Sequence, residues 1–152
     1  MTKRRVQIAF YKGPAKSIWQ KIAHRVICVR TGSIYSHCEL VIDGVCYSAS
    51  ARDGGVRAKT IDLASGKWDV YDWPKDSTAD YALSFYGLTR GCGYDWAGVF
   101  RFLLPILPVA ETRWWCSEWV AAALRMPEWD SSPQRLWWLC RLEGALPGGS
   151  GA

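Results

Sequence analysis

The stretch Tyr35-Ser36-His37-Cys38-Glu39-Leu40-Val41-Ile42-Asp43-Gly44-Val45-Cys46-Tyr47-Ser48-Ala49-Ser50 alternates around a central Asp-Gly. Asp-Gly between two alternating runs is the strongest short-range signal for a two-residue hairpin turn. Such a turn pairs Ile42 with Val45, then sets Glu39 opposite Ser48 and His37 opposite Ser50. Side chains alternate between faces along a strand. One face therefore carries Cys38, Leu40, Ile42, Val45, Tyr47 and Ala49, and this is a core face. The other carries His37, Glu39, Val41, Cys46, Ser48 and Ser50. A solvent-facing strand is the ordinary home for a single histidine. Here a carboxylate and hydroxyls stand beside it, and a catalytic imidazole needs such a third group to fix its tautomer.

Upstream, Val6 to Tyr11 reads as a strand closed by Gly13-Pro14. Ala15 to Arg30 reads as a helix on the spacing of Ile18, Trp19, Ile22, Val26 and Val29. Downstream, strands are expected at Val56 to Ile61 and at Lys67 to Trp73. Ser77 is placed to cap a helix running to about Arg90 and ended by Gly91-Cys92-Gly93. Tyr94 to Leu104 reads as a short helix and Pro105 to Thr112 as a loop. Helices follow at Trp115 to Met126 and, opened by Ser132-Pro133, to about Leu142. The order is mixed α+β, with the strands in the middle. Residues 1–146 form one domain and 147–152 a Gly/Ser-rich flexible tail.

The second chemical feature is Trp114-Trp115-Cys116-Ser117-Glu118-Trp119-Val120-Ala121-Ala122-Ala123-Leu124. Cys116 falls in the first turn of an apolar, alanine-rich helix. The positive end of the helix dipole lowers a thiol's pKa and favours the thiolate. An arbitrary cysteine is more often a small buried apolar residue, so position alone does not assign it a role.

Bulk composition narrows the classes. The chain has 152 residues, six cysteines, ten tryptophans and a formal net charge of +5. The length suits one domain with a real core. The cysteines are widely spaced, unlike a stapled secreted mini-domain. No CxxC pair points to zinc, and no cofactor motif is present. The charge favours acidic partners, but no nucleic-acid motif accompanies it, and dispersed charge is commonly a solvated surface. The tryptophans suit a surface that meets a glycan, a lipid or a protein partner. No apolar stretch follows Lys3-Arg4-Arg5, so no signal peptide is expected. The longest apolar run, Val99 to Ala110, is short for a membrane span and holds Arg101, Pro105 and Pro108. The expectation is a soluble protein made in a reducing cytoplasm.

Tyr35 to Ile42, Tyr47-Ser48-Ala49-Ser50 and Cys116-Ser117-Glu118 together resemble the NlpC-like hydrolases of the papain fold. The histidine strand precedes the cysteine helix, as in the circularly permuted branch. Tyr94-Asp95-Trp96 and Ser132-Pro133-Gln134-Arg135-Leu136 are similar to that branch too, so the resemblance spans roughly Val6 to Leu142. It implies a small antiparallel sheet packed against a cysteine-bearing helix, with flanking helices. It implies Cys116 as nucleophile, His37 as base, and a polar residue orienting that base. In the unpermuted family that residue lies on the next strand, which points to Ser48, while Glu39 is the stronger acceptor and is preferred. The implied activity is amide hydrolysis in a peptidoglycan peptide. Lipid acyl transfer or thioester hydrolysis, with peripheral membrane contact through Phe100 to Leu107, is the alternative. A non-catalytic envelope or virion protein is a third. Many relatives of this size are encoded by bacteriophages.

Overall fold

The computed structural model describes residues 4–14, 21, 25, 32–75, 77–101, 106, 112–126 and 132–148. The expected helix over Ala15 to Arg30 falls almost wholly outside them, as do Cys28 and most of the Pro105 to Thr112 loop. Among the described elements, five strands of five or six residues come first: β1 (Val6–Tyr11), β2 (His37–Ile42), β3 (Val45–Ser50), β4 (Gly55–Lys59) and β5 (Trp68–Asp72). Then come α1 (Thr78–Thr89), β6 (Gly93–Tyr94), α2 (Trp96–Arg101) and β7 (Arg113–Trp114). The last described elements are α3 (Cys116–Ala123), α4 (Pro133–Leu142) and β8 (Leu146–Pro147). The architecture is mixed α+β.

The sheet is larger than the sequence suggests. Among the described residues it has eight strands in the order β7-β6-β4-β3-β2-β1-β5-β8, and β6 and β7 run parallel. The three added strands have two residues each, too short to carry a periodic signal. β8 pairs with β5 through Tyr71–Pro147, and the Gly148 amide donates to the Val70 carbonyl at 2.8 Å. Backbone pairing thus continues through Gly148.

The hairpin register is the one the Asp-Gly turn dictates. Ile42 faces Val45, Val41 faces Cys46 and Leu40 faces Tyr47, with Asp43 and Gly44 both at positive φ. The two faces separate as expected. Cys38, Leu40, Ile42 and Ala49 join the main core with Cys116, Trp119, Val120 and Ala123 of α3. Val41 and Cys46 pack on the opposite face with Ala9, Ile61, Leu63, Trp68 and Val70. That second face is not solvent-facing: Glu39, Cys46 and Ser48 are fully buried.

Two helix starts differ in how they are closed. Ser77 stands before α1 with φ −62° and ψ −10°, and its side chain makes no capping bond. Ser132 is extended, and its hydroxyl accepts from the Arg135 amide at 3.2 Å ahead of Pro133. Helix α3 is anchored to α1 by the Trp119 indole N–H, which donates to Thr89 Oγ1 at 2.9 Å.

Gly55 is the tightest of the described glycines. Its φ is +150°, and a Cβ there would lie 1.9 Å from the Cys92 carbonyl oxygen. Gly55→Ala is expected to destabilise the protein by about 1–3 kcal/mol, the usual range for overpacking. Gly87, inside α1 with open space around it, provides the contrast. Gly87→Ala should leave stability unchanged or raise it by up to about 1 kcal/mol. Denaturant melts of the two variants test this pair.

Candidate functional site

The site forms where the β2–β3 ladder opens. Backbone pairing between the strands extends to Leu40–Tyr47, whereas β2 itself begins earlier, at His37. At Cys38 the backbone has other partners. The Ser48 hydroxyl donates to the Cys38 carbonyl at 2.8 Å, and the Cys116 sulfur takes a backbone hydrogen bond from Cys38. Cys116 is the first residue of α3, and Trp115 before it is extended, with φ −98° and ψ 169°. The Trp115 amide donates to Glu118 Oε2 at 3.4 Å, half of a reciprocal cap. The helix start is thereby set against the first residues of β2.

The imidazole of His37 joins the two features. Its Nε2 lies 2.8 Å from Glu39 Oε1, and the ring is also hydrogen-bonded to Cys116. With Nε2–H committed to the carboxylate, Nδ1 is the nitrogen left for the thiol. Trp68 stands edge-on to the ring, with centroids 6.3 Å apart. The His37 side chain keeps 23% of its exposure while Glu39 has none.

A buried carboxylate requires a compensating cation, and Arg57 supplies it. Its Nη1 and Nη2 donate to Glu39 Oε2 and Oε1 at 2.7 and 2.6 Å. Arg57 faces Ser48 across the β3–β4 ladder, and Glu39 faces Ala9 across β1–β2. Continuing the hairpin register by one residue sets Glu39 opposite Ser48. Glu39, Ser48 and Arg57 thus form one row on one face, and the guanidinium reaches over the small serine to the carboxylate. Arg57 Nε in turn donates to Asp53 Oδ2 at 2.7 Å, and Lys59 Nζ reaches the same oxygen at 2.6 Å.

The electrostatics follow from these contacts. Burial alone would lower the His37 pKa, but the Cys116 and Glu39 charges and hydrogen bonds override it and push it up to about 9. Cys116 is held well below the ordinary thiol value by the Cys38 hydrogen bond, against burial and with help from His37. Burial opposes Glu39 ionising, yet Arg57 and then His37 keep its pKa low. These shifts all favour a thiolate–imidazolium–carboxylate–guanidinium row, alternating in charge.

Of the residues singled out in the sequence, Cys116, His37 and Glu39 are linked through the imidazole. Ser48 shares the Glu39 face but spends its hydroxyl on the Cys38 carbonyl, with a longer contact of 3.3 Å to Ala49 O. The Cys116 helix packs on the Cys38–Leu40 face rather than the His37–Glu39 face, so the thiol meets His37 at the strand's end. Sequence reasoning left out Arg57, although a basic residue on the strand after Ser48 was the signal. It also left out Cys38, a thiol hydrogen-bonded to Cys116, and gave Tyr94 no role. Burial raises the Tyr94 phenol well above its usual value, and the Cys116 and Cys38 charges raise it further. Among the described residues no cluster of three or more His, Cys, Asp or Glu side chains is arranged to hold a metal ion. No helix of the described residues is long and apolar enough to cross a membrane. No family model and no curated protein matches the chain.

Proposed function

We propose that the protein is a cysteine hydrolase acting on amide bonds, of the permuted NlpC-like papain type, with a peptidoglycan peptide as substrate. One observation carries this reading: a single imidazole hydrogen-bonded to a helix-start thiol and to a buried, arginine-clamped carboxylate. Cys116 attacks the carbonyl as a thiolate, so no proton has to leave it at the moment of attack. His37, already protonated, gives its Nδ1 proton to the departing amine and then takes one from the water that releases the acyl-enzyme. Glu39 holds the ring so that Nδ1 faces sulfur and stabilises the imidazolium. Arg57 fixes Glu39 and keeps it ionised. The Cys116 amide, which has no intrahelical acceptor at the first helical position, is suited to the developing oxyanion. The net positive charge of the chain suits an anionic cell-wall polymer.

Lipid acyl transfer would use the same thiolate. Trp96 and Phe100, one helical turn apart on α2, are 45% and 48% exposed and could rest on an acyl surface. Product analysis separates the two. The protein and its Cys116→Ala variant are incubated with purified peptidoglycan and, in parallel, with phospholipid vesicles, and the products are read by mass spectrometry. New muropeptide termini that require Cys116 support the amidase reading. Cys116-dependent acyl products from lipid alone would overturn it, and turnover of neither substrate would reject both.

A further inference from the structure

We propose that Cys38 is a resolving cysteine for Cys116, so that hydroperoxides convert the site into a reversible Cys38–Cys116 disulfide. The proposal rests on the reading of Cys116 as a thiolate nucleophile and adds a modification site to it. Cys38 follows His37 directly in β2, and its side chain points to the face on which α3 packs. The two thiols are hydrogen-bonded to each other, and the Cys38 backbone is bonded to the same Cys116 sulfur. Both are free cysteines buried in one core cluster. For amide hydrolysis alone, a backbone donor and His37 would suffice beside the nucleophile, and any small apolar residue would fill position 38. A second thiol there adds redox chemistry.

The Cys116 thiolate attacks one oxygen of hydrogen peroxide, forming a sulfenic acid and releasing hydroxide, which takes a proton to become water. Cys38 sulfur then attacks Cys116 sulfur, the S–O bond breaks, and the Cys38 proton leaves with the hydroxide as a second water. The two thiols supply two electrons and the peroxide accepts them. Attack requires the Cys38 thiolate. In the reduced site Cys38 is held neutral by burial first and by the hydrogen bond and charge of Cys116 next. Oxidation of Cys116 removes the second and third of these, while burial and the Glu39 charge remain. The first oxidation therefore removes two of the influences that hold the resolving thiol neutral.

The test uses the full chain and hydrogen peroxide. Intact mass should fall by about 2 Da, the loss of two hydrogens on disulfide formation. Proteolysis without reductant should yield a crosslinked peptide pair containing Cys38 and Cys116, and dithiothreitol should restore the mass. In Cys38→Ser the same treatment should instead add about 32 Da at Cys116, a sulfinic acid that dithiothreitol does not reverse. A wild-type Cys116 that goes directly to sulfinic acid, or pairs with Cys140 or between molecules, would overturn the proposal. Iodoacetamide labelling of the reduced protein is run alongside. Fast labelling of Cys116 without the crosslink rejects the resolving role alone, whereas slow labelling rejects the thiolate reading beneath it.

Discussion

Glu39→Gln is expected to lower turnover by about 10³–10⁴-fold, the scale on which loss of an orienting carboxylate disables a catalytic imidazole. The carboxylate accepts from His37 and, through both oxygens, from Arg57. A glutamine offers one acceptor oxygen to two donors, and its amide nitrogen would oppose a guanidinium that only donates. The imidazole then loses its fixed tautomer and the negative charge that helps hold its pKa near 9. An NMR titration of His37 should show that pKa fall. Stability falls as well, because breaking a buried ion pair costs about 3–5 kcal/mol. The lower end is expected, since Asp53 still engages Arg57. Ser48→Ala removes only the hydrogen bond to the Cys38 carbonyl, worth about 1 kcal/mol, and should retain turnover within about 10-fold. Initial rates measured well below each variant's melting temperature keep catalysis and stability apart. A larger loss for Ser48→Ala than for Glu39→Gln would reverse the assignment of the orienting group.

Linkage gives these contacts a pH signature. The folded pKa of His37 lies above its ordinary value of about 6.5. Its contribution to stability is therefore complete below that value and is lost as pH rises through about 9. Glu39 works in the other sense. Its lowered pKa contributes stability above the ordinary carboxylate value, lost as pH falls through the folded one.

The hairpin is legible in the sequence because its signals are local. An Asp-Gly turn fixes the register, and the register fixes which residues share a face, so alternation alone groups Glu39 with Ser48. What covers that face is not legible in the same way. Residues near Ile61 and Leu63 and on β5 bury it, through contacts between segments far apart in sequence. Burial changes the meaning of Glu39, because a solvated carboxylate needs no partner and a buried one needs Arg57. Treated as a solvated strand residue, Glu39 could be replaced without cost to the fold. The buried ion pair predicts otherwise. Nor does alternation bring Cys116 to the imidazole, since it places the helix-facing and histidine-facing residues on opposite sides. The two meet because His37 is the first residue of its strand, where an imidazole can turn around the sheet's end. Two-residue strands such as β6 and β7, which carry Tyr94 beside the site, have no pattern to find.

Cys116 is expected to be alkylated by iodoacetamide at pH 6 about ten-fold or more faster than any other cysteine of the chain. An ordinary thiol with a pKa near 8.5 is only about 0.3% thiolate at that pH. Cys116 is ionised to a greater fraction there, because Cys38 and His37 hold its pKa well below the usual value. Part of the gain is lost, since nucleophilicity falls with pKa with a Brønsted slope of about 0.4–0.5. Three competitors are handicapped in the opposite direction. Burial raises the Cys38 and Cys140 thiols and pushes Cys46 up to about 11. Cys92, half-buried after α1, is the internal comparison. The pH dependence separates two roles of His37. Alkylation needs only the thiolate, so its rate should begin to rise at lower pH than that of an ordinary thiol. Turnover also needs the imidazolium as acid, so it should decline as pH passes about 9. His37→Ala should shift the alkylation profile of Cys116 to higher pH, because the imidazolium that favours the thiolate is gone. Labelling that begins at Cys92 or Cys140, or a Cys116 rate that climbs only around pH 8.5, would remove the thiolate and the mechanism built on it.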